Sequence, residues 1–122
     1  MSTAPRPSAV PQPPDQPEAI RAALAQVAPH LLADFDRDRA ASTARARAEV
    51  SAAPLRAFTE AWAVEVAIAR HPETAARLRA LEARAAEVTE LGEAREITTE
   101  ISRIRNAAAI EAGLRTAGGP AR

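Results

Sequence analysis

Two of the chain's three aromatic side chains, Phe58 and Trp62, fall in one fifteen-residue stretch from Phe58 to Pro72. Within it Phe58, Trp62, Val66 and Ala69 recur at steps of four, four and three, which puts all of them on one helical face. No other stretch is so densely apolar, so a core has to form around this one. The constraint is severe because little else can help. Alanine supplies more than half of the 47% hydrophobic residues, and Val, Ile, Leu, Phe and Trp together number 23 in 122. Fully burying such a side chain contributes about 1.5–3 kcal/mol, whereas ordering each residue costs about 1.5 kcal/mol. Helices drawn close by alanine, the strongest helix former, are the architecture this composition permits. A protein partner or a second copy would relieve the shortage of core.

Charge excludes more than it identifies. Sixteen basic and sixteen acidic residues cancel and alternate along the chain, leaving no net field for nucleic acid or an anionic membrane surface. All sixteen basic residues are arginine; without a local cluster this reads as coding bias in a GC-rich genome, not as phosphate recognition. The absence of cysteine rules out disulfides and thiolate metal sites. The N-terminal stretch lacks a continuous apolar run, so neither a signal peptide nor a membrane span is expected, and the expected location is the cytoplasm.

Residues 1–14, with Pro5, Pro7, Pro11, Pro13 and Pro14, read as a disordered proline-rich tail; Pro-Gln-Pro-Pro also has the form of a polyproline ligand. A helical domain over residues 15–114 follows. Asp15 as cap, Pro17 in the first turn and Glu18 three residues on predict the first helix, with Ile20, Leu24 and Val27 inward and Pro29 closing it. A second helix is predicted from about His30 to Val50, with Leu31, Phe35, Ser42 and Ala46 on one face and Leu32 and Val50 at its margin. Its later half, Ala44-Arg45-Ala46-Arg47-Ala48, offers only methyl groups, so it is exposed, frayed or packed on a partner. Ser51 and Pro54 open a third helix, about Ala53 to Arg70, which adds Leu55 to the Trp62 stripe. Pro72 opens a fourth, whose face is Leu78, Leu81, Ala85 and Val88.

At Gly92 the pattern changes phase. Ile97, Ile101, Ile104 and Ala108 point away from the preceding stripe at 100° per residue, so the chain either breaks at Gly92 or runs through it touching different neighbours. Gly113 and Gly118-Gly119-Pro120 end the order, and 115–122 is read as a second disordered tail.

Few residues point to chemistry. Asp34, Asp36 and Asp38 are spaced like the first ligands of a calcium loop, but Arg39 and Arg45 stand where glycine and the bidentate glutamate belong. His30 and His71 adjoin prolines at helix boundaries and suit capping or helix-dipole roles better than metal binding. No glycine-rich phosphate loop or nucleophile elbow exists. The expectation is a non-enzyme without cofactor, metal or small-molecule substrate. Trp62 is either a core anchor or a surface hot spot. The isoleucine row either seals the bundle or forms a seam with a second copy or another protein.

Pro17-Glu18-Ala19-Ile20-Arg21-Ala22-Ala23-Leu24, Phe35 among acids, and Leu55 to Pro72 with central Trp62 resemble an uncharacterised family of short helical actinobacterial proteins. The similarity spans about residues 17–75 and lies in core and cap positions. It departs where an aromatic usually follows Phe35, because Arg39 and Ala40 stand there, and in the long helical region after Leu78. The family's genes often lie beside toxins of the RelE/ParE type, which implies an antitoxin-like role.

The sequence therefore predicts an all-α bundle of four or five helices with disordered ends. Its core anchors are Ile20, Leu24, Phe35, Leu55, Phe58, Trp62 and Val66. Its expected function is non-catalytic protein binding through Ile97, Ile101, Ile104 and Ala108. The alternatives are a small DNA-binding regulator reading through the second and third helices, or a homodimeric structural protein.

Overall fold

A computed structural model describes residues 10–115. Among them the chain forms five α-helices and no strand: α1 (Pro17–Val27), α2 (Leu32–Glu49), α3 (Ala53–Ala69), α4 (Pro72–Glu87) and α5 (Leu91–Glu111), with a 3-10 turn at Pro29–Leu31 between α1 and α2. The all-α class predicted from periodicity is the observed one. Of the expected tails, 1–14 and 115–122, residues 1–9 and 116–122 lie outside the described residues.

α3 is the axis of the molecule and packs against each of the other four helices. It can do so because it is apolar on two sides. Phe58, Trp62, Ala63 and Val66 join Ile20, Ala23 and Leu24 of α1 and Phe35 of α2 in one buried cluster. Ala67 and Ile68, on the other side of the helix, join Leu78 of α4 and Ala108 of α5 in a second. The sequence stripe captures the first face; the second is hidden because three of its α3 positions are occupied by Val64, Ala67 and Ile68, with no aromatic to mark them.

All three aromatic residues of the chain meet in the first cluster. Phe35 lies 5.1 Å from Phe58 and 5.4 Å from Trp62, ring centre to ring centre, the latter edge-on at 76°. Such pairs contribute about 0.5–1.5 kcal/mol beyond area burial. Trp62 is a core anchor whose indole Nε1 donates to Asp38 Oδ2 at 3.2 Å, so its polar edge is satisfied while the ring is buried. Ile20, Leu24 and Val66 are also fully buried, whereas Leu55 is only half-buried.

Several boundaries differ from the sequence reading, each for a local reason. Residues 10–14 are no free tail: Gln12 Nε2 donates to the Ala63 carbonyl at 3.0 Å and Arg70 Nε to the Val10 carbonyl at 2.7 Å, with Val10 packed on the aromatic cluster. Gln16, not Asp15, is the N-cap of α1, and its side chain makes no capping bond. Val50 is no margin of a stripe; it is 92% exposed just past α2. Ala85 is exposed, and Val88 lies beyond α4.

The break between the last two helices comes at Val88-Thr89-Glu90, before Gly92. Glu90 caps α5, its carboxylate accepting from the backbone N–H of Glu93 at 2.6 Å and of Gly92 at 3.1 Å. Gly92 sits inside the new helix; a Cβ there would lie 3.1 Å from Glu90 Oε2, so the missing side chain leaves room for the cap to fold back.

Because Phe35 is the only buried residue of α2, Phe35→Ala should lower the unfolding free energy by about 3–5 kcal/mol in urea titrations, enough to leave a marginal domain largely unfolded. Glu90→Ala should cost about 1 kcal/mol. A Phe35→Ala loss below that of Glu90→Ala would contradict the packing described.

Candidate functional site

The α2–α3 hairpin ends in the least economical piece of backbone in the molecule. After α2 the chain closes as helices commonly do, with Ser51 N–H bonded to the Ala46 carbonyl at 3.0 Å and Val50 N–H to that of Arg47 at 3.3 Å. The residue in this turn must adopt the left-handed conformation, and Val50 does so at φ 49°. The same closure ends α5, where Leu114 and Gly113 bond back to Ala109 and Ile110, but there Gly113 takes the left-handed position. A side chain with a Cβ costs roughly 1–2 kcal/mol there, and a β-branched one is an outlier. Here a branched apolar side chain is held at the hairpin tip, facing solvent.

The surroundings of the tip are basic. Residues 44–57 carry Arg45, Arg47 and Arg56 against a single acid, Glu49. Arg45 lies 3.6 Å from Glu49, and among the described residues Arg47 and Arg56 form no ion pair. Between Asp36 and Glu49 no residue of α2 is buried; Ser42, Thr43 and Ala46 are half-covered. Ser51 is the one usual turn residue here, its Oγ accepting from the Ala53 N–H at 3.1 Å, but no glycine or asparagine marks the left-handed position. The signal lay in spacing: Pro54 fixes where α3 starts, leaving three residues to reverse the chain.

The sequence-predicted contact row has a different setting. Ile97 and Ala108 are buried, and Ile101 and Ile104 pack, half-buried, on the second cluster formed with α3 and α4. A cleft of about 340 Å³ opens between the α1–α2 turn, α3 and α4, floored by Val27, Leu31, Ile68 and Leu78. Of the charged groups lining it, Arg105 reaches Glu65 at 3.3 Å and Glu82 at 3.4 Å.

The three aspartates of α2 diverge. Asp34 pairs with Arg37 at 2.9 Å, Asp36 takes both Nε and Nη2 of Arg21 at 2.8 and 2.7 Å, and Asp38 serves Trp62. Among the described residues no group of three His, Cys, Asp or Glu side chains is placed to hold a metal. His30 is exposed in the 3-10 turn. His71 is the N-cap of α4, its side chain making no capping bond, and its Nε2 lies 2.8 Å from Glu111.

Exposed ion pairs tie the helices at their edges: Arg39 with Glu18, Arg77 with Glu100, and Arg84 with Glu93 across the α4–α5 turn. Hydrogen bonds from Arg21, Arg39 and Arg77 hold the carboxyls of Asp36, Glu18 and Glu100, respectively, below their ordinary range. Each group is thus easier to ionise folded than unfolded. Its contribution is complete above the ordinary values of 3.8 for Asp and 4.5 for Glu, and is lost as pH falls through the lower folded ones.

No protein-family model matches the chain, and comparison with curated proteins and with solved structures finds no similar protein or fold. No helix among the described residues is long and apolar enough to cross a membrane.

Carboxyl-carbon NMR titration should place the Asp36 and Glu100 midpoints below their ordinary values. Arg21→Gln should move Asp36 upward while leaving Glu100 where it was. An Asp36 midpoint indifferent to that change would mean the bidentate pair does not form in solution.

Proposed function

We propose that the chain is a non-catalytic protein-binding module of the cytoplasm, the antitoxin-like member of a small two-protein pair, and that it engages its partner through the α2–α3 hairpin tip. One observation carries this reading: Val50 is held in a strained left-handed turn with 92% of its surface exposed. Strain that does not serve packing points to a function for the side chain it presents. Burying that valine against a partner would recover the apolar area the lone chain leaves in water, and Arg47 and Arg56 would meet carboxylates around it. The thin packing of α2 beyond Phe35 supports the same reading, since a partner laid on that half would supply the core this chain lacks. The resemblance to proteins encoded beside RelE/ParE-type toxins supplies the class of partner.

In this reading Ile97, Ile101, Ile104 and Ala108 hold α5 in place and do not themselves touch the partner. An aspartate at Ile101 or Ile104 therefore acts on stability first.

The test is co-expression with the product of the adjacent gene, followed by affinity capture. Val50→Asp should reduce capture at least roughly tenfold with the fold intact, as expected of a central hot spot. Val50→Gly separates function from stability: it should raise the unfolding free energy by about 1 kcal/mol and still lose the partner. Undiminished capture by both variants would rule out the tip as the contact.

A further inference from the structure

The segment Val10–Pro14 lies along α3 between Ala63 and Arg70, and what holds it there is the chemistry of peptide recognition. Three of its five residues are prolines without an N–H, so the strap cannot pair as a strand. It is held by the Val10 carbonyl, which accepts from Arg70 Nε at 2.7 Å, by the Gln12 amide, which donates to the Ala63 carbonyl at 3.0 Å, and by the Val10 side chain on the aromatic cluster. On the receiving side Arg70, its side chain 11% exposed with the strap in place, also donates Nη1 to Glu111 of α5, a tie to the guanidinium that does not involve the strap. The fit of the present occupant is incomplete, because Gln12 Oε1 is buried without a hydrogen-bond partner.

We propose that the α3 surface from Ala63 to Arg70 is a docking site for an extended, proline-rich peptide segment of a partner protein, and that residues 10–14 occupy it as a tethered competitor. A backbone carbonyl offered to a fixed guanidinium, an aliphatic residue beside it and a proline-rich extended chain are the shared requirements, and proline-rich segments meet them with little conformational entropy to lose. The short connection through Asp15 and Gln16 keeps the strap at high effective concentration, so the resting chain hides the site from all but abundant or better-fitting ligands. This site is separate from the hairpin tip, and neither depends on the other.

The probe is a fluorescein-labelled synthetic peptide with the sequence of residues 8–16, titrated into the full chain and followed by anisotropy, with a scrambled peptide of equal composition alongside. Loosening the strap in the full chain by Val10→Asp with Gln12→Ala should tighten peptide binding at least roughly tenfold over the unmodified chain, by removing the tethered competitor. Adding Arg70→Gln should reverse that gain. Helicity and Trp62 emission identify folded variants; where Arg70→Gln disturbs them, Arg70→Lys replaces it, since an ammonium cannot bridge the Val10 and Glu111 oxygens as a planar fork does. Gln12→Ala alone replaces the double change if that unfolds. Absence of saturable binding to the loosened chain at about 1 mM peptide, the scale of tethered concentrations, would overturn the proposal. So would equal binding of the scrambled peptide, or indifference to the Arg70 change.

Discussion

The contact on which the rest of the molecule depends is Phe35 against Phe58 and Trp62. It joins α2 to α3 at the only place where α2 buries a side chain, and it forms the floor on which Ile20 and Leu24 of α1 rest. With so few large residues available, the chain concentrates its aromatics at one point instead of distributing them. The Trp62–Asp38 hydrogen bond fixes the indole within that cluster and adds a second α2–α3 tie one turn further along. α4 and α5 are attached through aliphatic contacts on the opposite side of α3, which makes α3 the element common to both halves.

That economy explains where the molecule is thinly built. Beyond Phe35, α2 continues for more than three turns with only methyl groups and half-covered polar residues facing α3. The hairpin then reverses through Val50, in a backbone conformation that Gly113 occupies without strain at the end of α5. The contrast between the two closures is the strongest local departure from what stability alone would select. At the opposite end, Arg70 gathers the N-terminal strap and the end of α5 around the end of α3. The two proposals arise from these ends: one from a side chain presented to solvent, the other from a surface already covered.

Much of the architecture is legible in the sequence, because 3.6-residue periodicity, prolines at helix starts and the phase change after Val88 are all local signals. Pro17, Pro54 and Pro72 each mark the start of a helix. What escaped was non-local. A half-buried Val10 and a docked Gln12 depend on residues more than fifty positions away, and nothing near Pro11-Gln12-Pro13 announces them. Glycine, the usual helix breaker, makes Gly92 the place where a break is expected, if there is one, whereas Glu90 caps the new helix and the glycine accommodates that cap. The isoleucine row was visible as a face, but its neighbour was not, since the second face of α3 is written in alanine, valine and a single isoleucine. At the Val50 tip Ser51 and Pro54 mark the helix start, but no glycine marks the left-handed residue, which follows only from the distance between two helix boundaries.

Native-state hydrogen exchange tests the central claim most directly. If the three aromatics anchor the fold, amides of α3 from Phe58 to Ile68 should exchange slowest, at a rate set by global unfolding. Amides of α2 from Ala40 to Glu49 should open far more readily. Uniform protection along α2, or faster exchange in the middle of α3 than in α4 and α5, would contradict the account.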